Sequence, residues 1–117
     1  MSGIIFHITP RKSWKIAKKS GAYFTETMEG EGFIHCSKED QILRVANQLY
    51  FGQHDLVLLF IDSDRLEPEI LWEKGKDKTD ELFPHIYGPI NRDAVLKIID
   101  FEPGEDGIFK MPAELIV

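Results

Sequence analysis

Three of the four histidines lie inside short apolar and β-branched runs: His7 in Phe6-His7-Ile8, His35 in Phe33-Ile34-His35-Cys36-Ser37 and His85 in Phe83-Pro84-His85-Ile86-Tyr87-Gly88. Histidine is neither a strong strand former nor a typical core residue, and large apolar neighbours on both sides would fix each ring in one direction. Imidazole moves a proton near neutral pH, hydrogen-bonds a ribose hydroxyl or ligates a metal, so three converging rings would make a site. Taken singly, each reads equally as a half-buried histidine bonded to backbone. Side chains within about 10 Å of one another around a concavity would decide for a site. His54, in Gly52-Gln53-His54-Asp55, belongs to a solvated turn.

Other residues extend the chemistry. Ser37 reads as a helix N-cap, which would also set a hydroxyl and backbone N–H groups where an anionic oxygen docks. Glu73 beside Trp72 is either a carboxyl with a raised pKa against an aromatic wall or half of an edge-strand salt bridge. Cys36 alternates to the face opposite His35 and reads as a packed small hydrophobe. Trp14 and Tyr23 read as core, although both adjoin a basic stretch. Gly30-Glu31-Gly32 precedes a strand and lacks the Lys-Ser or Lys-Thr of a nucleoside-triphosphate loop. A metal site from His7, His35 and His85, with Glu73, would suit a small hydrolase, but no short His-x-x-x-His spacing supports it.

The elements that must carry these residues are legible in the hydropathy pattern. Ile4–Thr9 reads as a first strand stopped by Pro10, with Ile5, His7 and Thr9 on one face. Ser13 is expected to cap a short helix, Trp14 to Ser20, with Trp14 and Ala17 inward and Gly21 as the stop. A polar, glycine-containing loop follows between Tyr23 and Gly32, and Gly32–Cys36 reads as a strand. From Ser37, with Asp40 three residues on, Ile42, Val45, Ala46, Leu49 and Tyr50 repeat at helical spacing. Asp55–Ile61 is apolar without alternation, as in a strand buried on both faces. Strands are expected at Ile70–Glu73, Phe83–Gly88 and Val95–Phe101, with an exposed loop at Lys74–Lys78 and turn chemistry from Glu102 to Gly107. The expected architecture is α+β: a single domain over residues 1–117, with two main helices and a split, largely antiparallel sheet.

The chain has 117 residues, 43% hydrophobic and 29% charged, enough for one core without disulfides or a structural metal. The net charge of −6 argues against broad coating of nucleic acid, which depends on Lys and Arg displacing counterions. Residues 1–20 hold Arg11, Lys12, Lys15, Lys18 and Lys19 and no acid, a local +5. Nine basic and twenty acidic residues leave the remainder at −11. A confined basic surface on an acidic protein suits a small anion. Cys36 is the single cysteine, so no internal disulfide forms, and neither a signal-like segment nor a membrane span stands out; a cytoplasmic protein is the expectation.

Together, Phe6-His7-Ile8, Trp14 with Ala17, Gly21 with Tyr23, Glu31-Gly32-Phe33-Ile34-His35-Cys36-Ser37, Gln41, Val45-Ala46-Asn47, Asp55-Leu56-Val57-Leu58-Leu59, Trp72-Glu73 and Phe83-Pro84-His85-Ile86-Tyr87-Gly88-Pro89 resemble the small bacterial family called domain of unknown function 952. The likeness runs from about residue 4 to residue 112. It implies a fold similar to the ADP-ribosylating enzymes, with His7 at the position that holds a ribose of NAD and His35 with Ser37 near the nicotinamide. Where those enzymes place a catalytic glutamate, this strand reads His85-Ile86-Tyr87. A histidine cannot supply that negative charge, so the RNA 2′-phosphotransferases of the same fold are the closer analogy.

The reading that follows is a cleft for a small nucleotide-like ligand, NAD or an ADP-ribose derivative. His7, His35 and His85 would be catalytic, Ser37, Tyr87 and Glu73 would bind the ligand, and Arg11 and Lys12 would meet its phosphates. The alternatives are the metal-dependent hydrolase and a non-catalytic binding module with a vestigial cleft. The pattern specifies no oligomeric state.

Overall fold

The computed structural model describes residues 3–23, 32–75 and 80–115. In chain order its elements are β1 (Ile4–Pro10), α1 (Arg11–Ser20), β2 (Ala22–Tyr23), β3 (Ile34–His35), α2 (Ile42–Leu49), β4 (Leu56–Asp62), β5 (Glu69–Lys74), β6 (Leu82–Tyr87), β7 (Ile90–Asn91) and β8 (Val95–Phe101), with 3-10 turns at Glu39–Gln41, Arg92–Ala94 and Ala113–Leu115.

The unalternating apolar run becomes β4, the middle strand of an antiparallel sheet β1-β4-β8. An antiparallel strand normally buries one face. Here both are covered, because the two helices lie on opposite sides. Val57, Leu59 and Ile61 join Ile5 of β1 and Trp14 and Ala17 of α1 in one buried cluster. Leu56, Leu58 and Phe60 join Phe6 and Ile8 of β1 and Ile42 and Ala46 of α2 in the other. The period-two alternation expected for β1 is therefore observed, with one residue set in each cluster.

A second antiparallel sheet, β3-β6-β5, packs Ile34, Cys36 and Ile86 into the first cluster. The two sheets touch where Phe6 and Ser37 exchange backbone hydrogen bonds at 2.8 Å in both directions. The result is the split, mostly antiparallel α+β architecture expected. A small pair, β2-β7, was not anticipated.

Three local expectations are corrected. The first helix begins at Arg11, with Pro10 at the N-cap and no side-chain cap, so Ser13 lies inside the helix. Pro10 fixes the extended entry, and the Arg11 N–H finds the Asp55 carbonyl at 2.9 Å. Ser37 caps no helix: its N–H and C=O both pair with Phe6, which holds it in the sheet junction one residue before the turn begins at Lys38. Lys38 opens the next turn instead, its N–H bonded to the Gln41 side-chain oxygen at 2.9 Å. β3 is shorter than the Gly32–Cys36 strand expected. The loops expected over residues 24–31 and 76–78, with Gly30 and Glu31, lie outside the described residues.

Gly88 ends β6 with φ +154°, and a Cβ there would stand 2.7 Å from Cβ of Pro68. Gly88→Ala is expected to cost about 1–3 kcal/mol, the usual penalty of forcing a methyl into packed structure. It should appear as a lower urea midpoint with unchanged slope.

Candidate functional site

In β3-β6-β5, registered partners share a face. Ile34 pairs with Ile86 and points inward; His35 pairs directly with His85 and points the other way. Glu73 opposes Phe83 on the neighbouring ladder, two residues from His85, so it joins the same face, as does Tyr87. Register alone therefore gathers His35, His85, Glu73 and Tyr87.

The ring centroids of His35 and His85 are 5.0 Å apart, edge to face. Phe33, two residues before His35, stacks on His85 at 4.2 Å with an interplanar angle of 19°. It also meets His35 at 4.8 Å and Tyr87 at 5.3 Å. His85 is 3% exposed beneath this cover.

One carboxylate oxygen, Oε1 of Glu73, accepts two hydrogen bonds: from Nδ1 of His85 at 2.8 Å and from the Tyr87 hydroxyl at 2.6 Å. A carboxylate only accepts, so Nδ1 of His85 carries the proton. In the neutral ring, Nε2 then presents a lone pair. That Nε2 is buried and has no hydrogen-bond partner among the described residues. The hydroxyl of Tyr87 and, secondarily, His85 hold the Glu73 carboxyl below its usual pKa, the reverse of the raised value the aromatic wall suggested. The Tyr87 phenol is raised, chiefly by the same hydrogen bond. Glu73 thus stays ionised and fixes the tautomer, an arrangement suited to proton transfer or to hydrogen-bonding a ligand through Nε2.

His7 is engaged differently. It sits where the two sheets part, with Nδ1 2.6 Å from the carbonyl oxygen of His35. A carbonyl only accepts, so Nδ1–H donates. Burial lowers the ring's pKa to about 4, which leaves Nε2 unprotonated at pH 7. Nε2 accepts from the Tyr23 hydroxyl at 3.0 Å, and the hydroxyl of Thr9 donates to Tyr23 in turn. Every polar atom of this chain of side chains is satisfied, as buried groups require. The His7 ring is 7% exposed and holds the main chain of β3 rather than presenting a free nitrogen.

The remaining candidates separate from this face. Arg11 is paired with Asp55 at 2.9 Å and with Asp100, so its charge is compensated locally. Lys12 is exposed on α1. Ser37 is 6% exposed and occupied at its N–H by the sheet junction. Burial pushes the Cys36 thiol pKa well up, as expected of a packed residue. His54 is at the surface beside Glu102. Among the described residues, no three His, Cys, Asp or Glu side chains are placed to hold a metal ion, and no helix is long and apolar enough to cross a membrane.

Sequence reasoning missed two contributors. Phe33 counted only as an apolar flank, although its position two before His35 placed it on the same face. Arg44 lies over the Phe83 ring at 5.7 Å and pairs with Glu81, bringing a guanidinium to this side of the sheet. Gln41 anchors that corner, donating to Glu81 and to the Leu82 carbonyl, both at 2.9 Å. Its sequence signal was the amide three residues after a turn start.

The fold has close counterparts. The crystal structure of protein CC0527 from Caulobacter crescentus is 29% identical, with a TM-score of 0.83 over 92% of this chain and 94% of that one. The solution NMR structure of CC0527 is also 29% identical, with a TM-score of 0.80 over 97% of each chain. Comparison with curated proteins gave no match. Residues 8–98 match the family described as "Protein of unknown function (DUF952)", and on that match the chain belongs to this family.

Proposed function

We propose that the face formed by Phe33, His35, Glu73, His85 and Tyr87 binds a nucleotide-like ligand of the NAD or ADP-ribose class, with His85 as its central polar contact. The observation that carries the reading is the buried Nε2 of His85, held in one tautomer by Glu73 and without a hydrogen-bond partner among the described residues. An unsatisfied polar atom in a folded interior is costly, and a ligand hydroxyl donating to it removes the cost. Phe33 offers an aromatic surface beside it, of the kind on which flat rings stack.

The expected contacts are redistributed: His7, expected at a ribose, is spent on the His35 carbonyl and Tyr23, which leaves His85 as the ring nitrogen for a ligand hydroxyl. The strand reading His85-Ile86-Tyr87 contains no carboxylate, yet Glu73 of the adjacent strand supplies one against His85. A carboxylate is thus present on this face, on a different strand from the one the resemblance would place it on. Arg11 is committed to Asp55 and Asp100, and Arg44, the guanidinium on this side of the sheet, is itself paired with Glu81. If turnover follows binding, His85 is the proton carrier, Glu73 orients its ring through Nδ1–H and Tyr87 keeps Glu73 ionised, a set consistent with transfer chemistry related to ADP-ribosyl or RNA 2′-phosphate transfer. His7 is a positioning residue, acting through the His35 carbonyl.

Calorimetric titration with NAD, ADP-ribose and a 2′-phosphorylated nucleotide tests the reading. At least one is expected to bind with heat. No binding by any of the three at millimolar concentration would overturn it.

A further inference from the structure

A second feature lies on the other sheet. Among the described residues β8 pairs with β4 on one side only, so its outer edge presents main-chain N–H and C=O groups at every second residue. Residues 95–98 of this strand line a groove whose opposite wall is Trp14 and Lys18 of α1 with Arg92. Three cations, Lys18, Arg92 and Lys97, therefore border one edge of a protein that carries −6 overall. None of them lies within ion-pair distance of a carboxylate among the described residues. The nearby acids are otherwise held, Asp100 by Arg11 and Asp93 by Asn91 at 2.5 Å. The Arg92 guanidinium is fixed by one hydrogen bond to the Lys18 carbonyl at 3.1 Å, which leaves its other N–H groups for a partner.

A lysine in mid-strand commonly blocks an edge against pairing. Lys97 does not do so here, because its ammonium lies over the Phe60 ring at 5.7 Å, on the face of the sheet. Leu96 stays exposed at 47%. Among the described residues the edge thus offers backbone without a strand partner, an apolar side chain, and the cations Lys18 and Arg92 without an ion pair.

We propose that the free edge of β8 binds an extended acidic peptide segment by strand addition, its main chain pairing with residues 95–98 and its carboxylates meeting Lys18 and Arg92. Main-chain bonds give such docking its register, and the flanking charges select the sequence.

The test uses the full chain and two fluorescein-labelled octapeptides, one alternating valine with glutamate and one alternating valine with lysine. The glutamate peptide is expected to bind at least tenfold more tightly by anisotropy and to slow amide exchange along residues 95–98. The double variant Lys18→Gln, Arg92→Gln removes both charges and should lose that preference; its circular dichroism spectrum should stay that of the wild type, with a melting temperature lowered only by the loss of the Arg92 bond to the Lys18 carbonyl. Equal binding of both peptides, exchange protection confined to β5, or no peptide binding alongside pyrophosphate-induced shifts at Lys18 and Arg92 would each overturn the proposal, the last by assigning a small-anion site.

Discussion

His85→Asn is expected to weaken binding of the best nucleotide ligand by roughly 10- to 100-fold, because a buried hydrogen bond to a charged or strongly polar group is worth about 1.5–3 kcal/mol. The substitution keeps a polar side chain but cannot both reach Glu73 and present an acceptor where Nε2 lies. Glu73→Gln sharpens the test. An amide oxygen can still accept from Nδ1, while an amide N–H would turn the imidazole to its other tautomer and reverse the polarity of Nε2. Affinity should fall in this variant too, and its dependence on pH should change, whereas a purely structural role would move the melting temperature and leave the pH profile alone. Wild-type affinity in His85→Asn, with the fold intact by circular dichroism, would remove this face from consideration.

Acidification should destabilise the protein through His7. Its folded pKa is depressed to about 4 by burial, against 6.5 for the ring in the unfolded chain. Above pH 6.5 the ring is neutral in both states and the contribution is complete. As the pH falls, the unfolded chain takes up a proton that the folded chain refuses, so stability is lost between 6.5 and 4. The loss amounts to about 3 kcal/mol in all. Urea titrations at pH 7 and pH 4.5 check this, with His7→Gln as reference: that variant is less stable at neutral pH, but its stability should fall less steeply over the same window. Carboxylates contribute equally to both proteins, so parallel pH dependences would sink the assignment.

The elements were readable where pattern and burial agree. The uninterrupted apolar run of β4 announced two covered faces, the alternation of β1 named the residues of each, and the helical spacing after Gln41 gave α2. Ser37 was misread because its hydroxyl suggested a cap, whereas its backbone was already required to join the sheets at Phe6. The site was legible in residue types but not in partners. That His35 opposes His85 depends on the register of two strands far apart in the chain. That Glu73 reaches His85 depends on the register of β5 against β6. The basic N-terminal stretch looked like a phosphate rim because counting charges along a chain cannot show that Asp55 and Asp100 fold back onto Arg11.

The sheet order also sets a sequence of assembly. Among the described residues, β1 must find β4, β4 must find β8, and β3 must find β6, each across a long intervening stretch; only β5 and β6 are neighbours in the chain as well as in the sheet. Such non-local closures dominate the folding time, on the order of milliseconds to seconds for topologies of this kind, while a hairpin can close in about 1–10 μs. Glu73, His85 and Tyr87 all lie on that hairpin. The carboxylate, imidazole and phenol are thus joined by a local pairing, whereas His35 with its aromatic cover is joined to them by a long-range one.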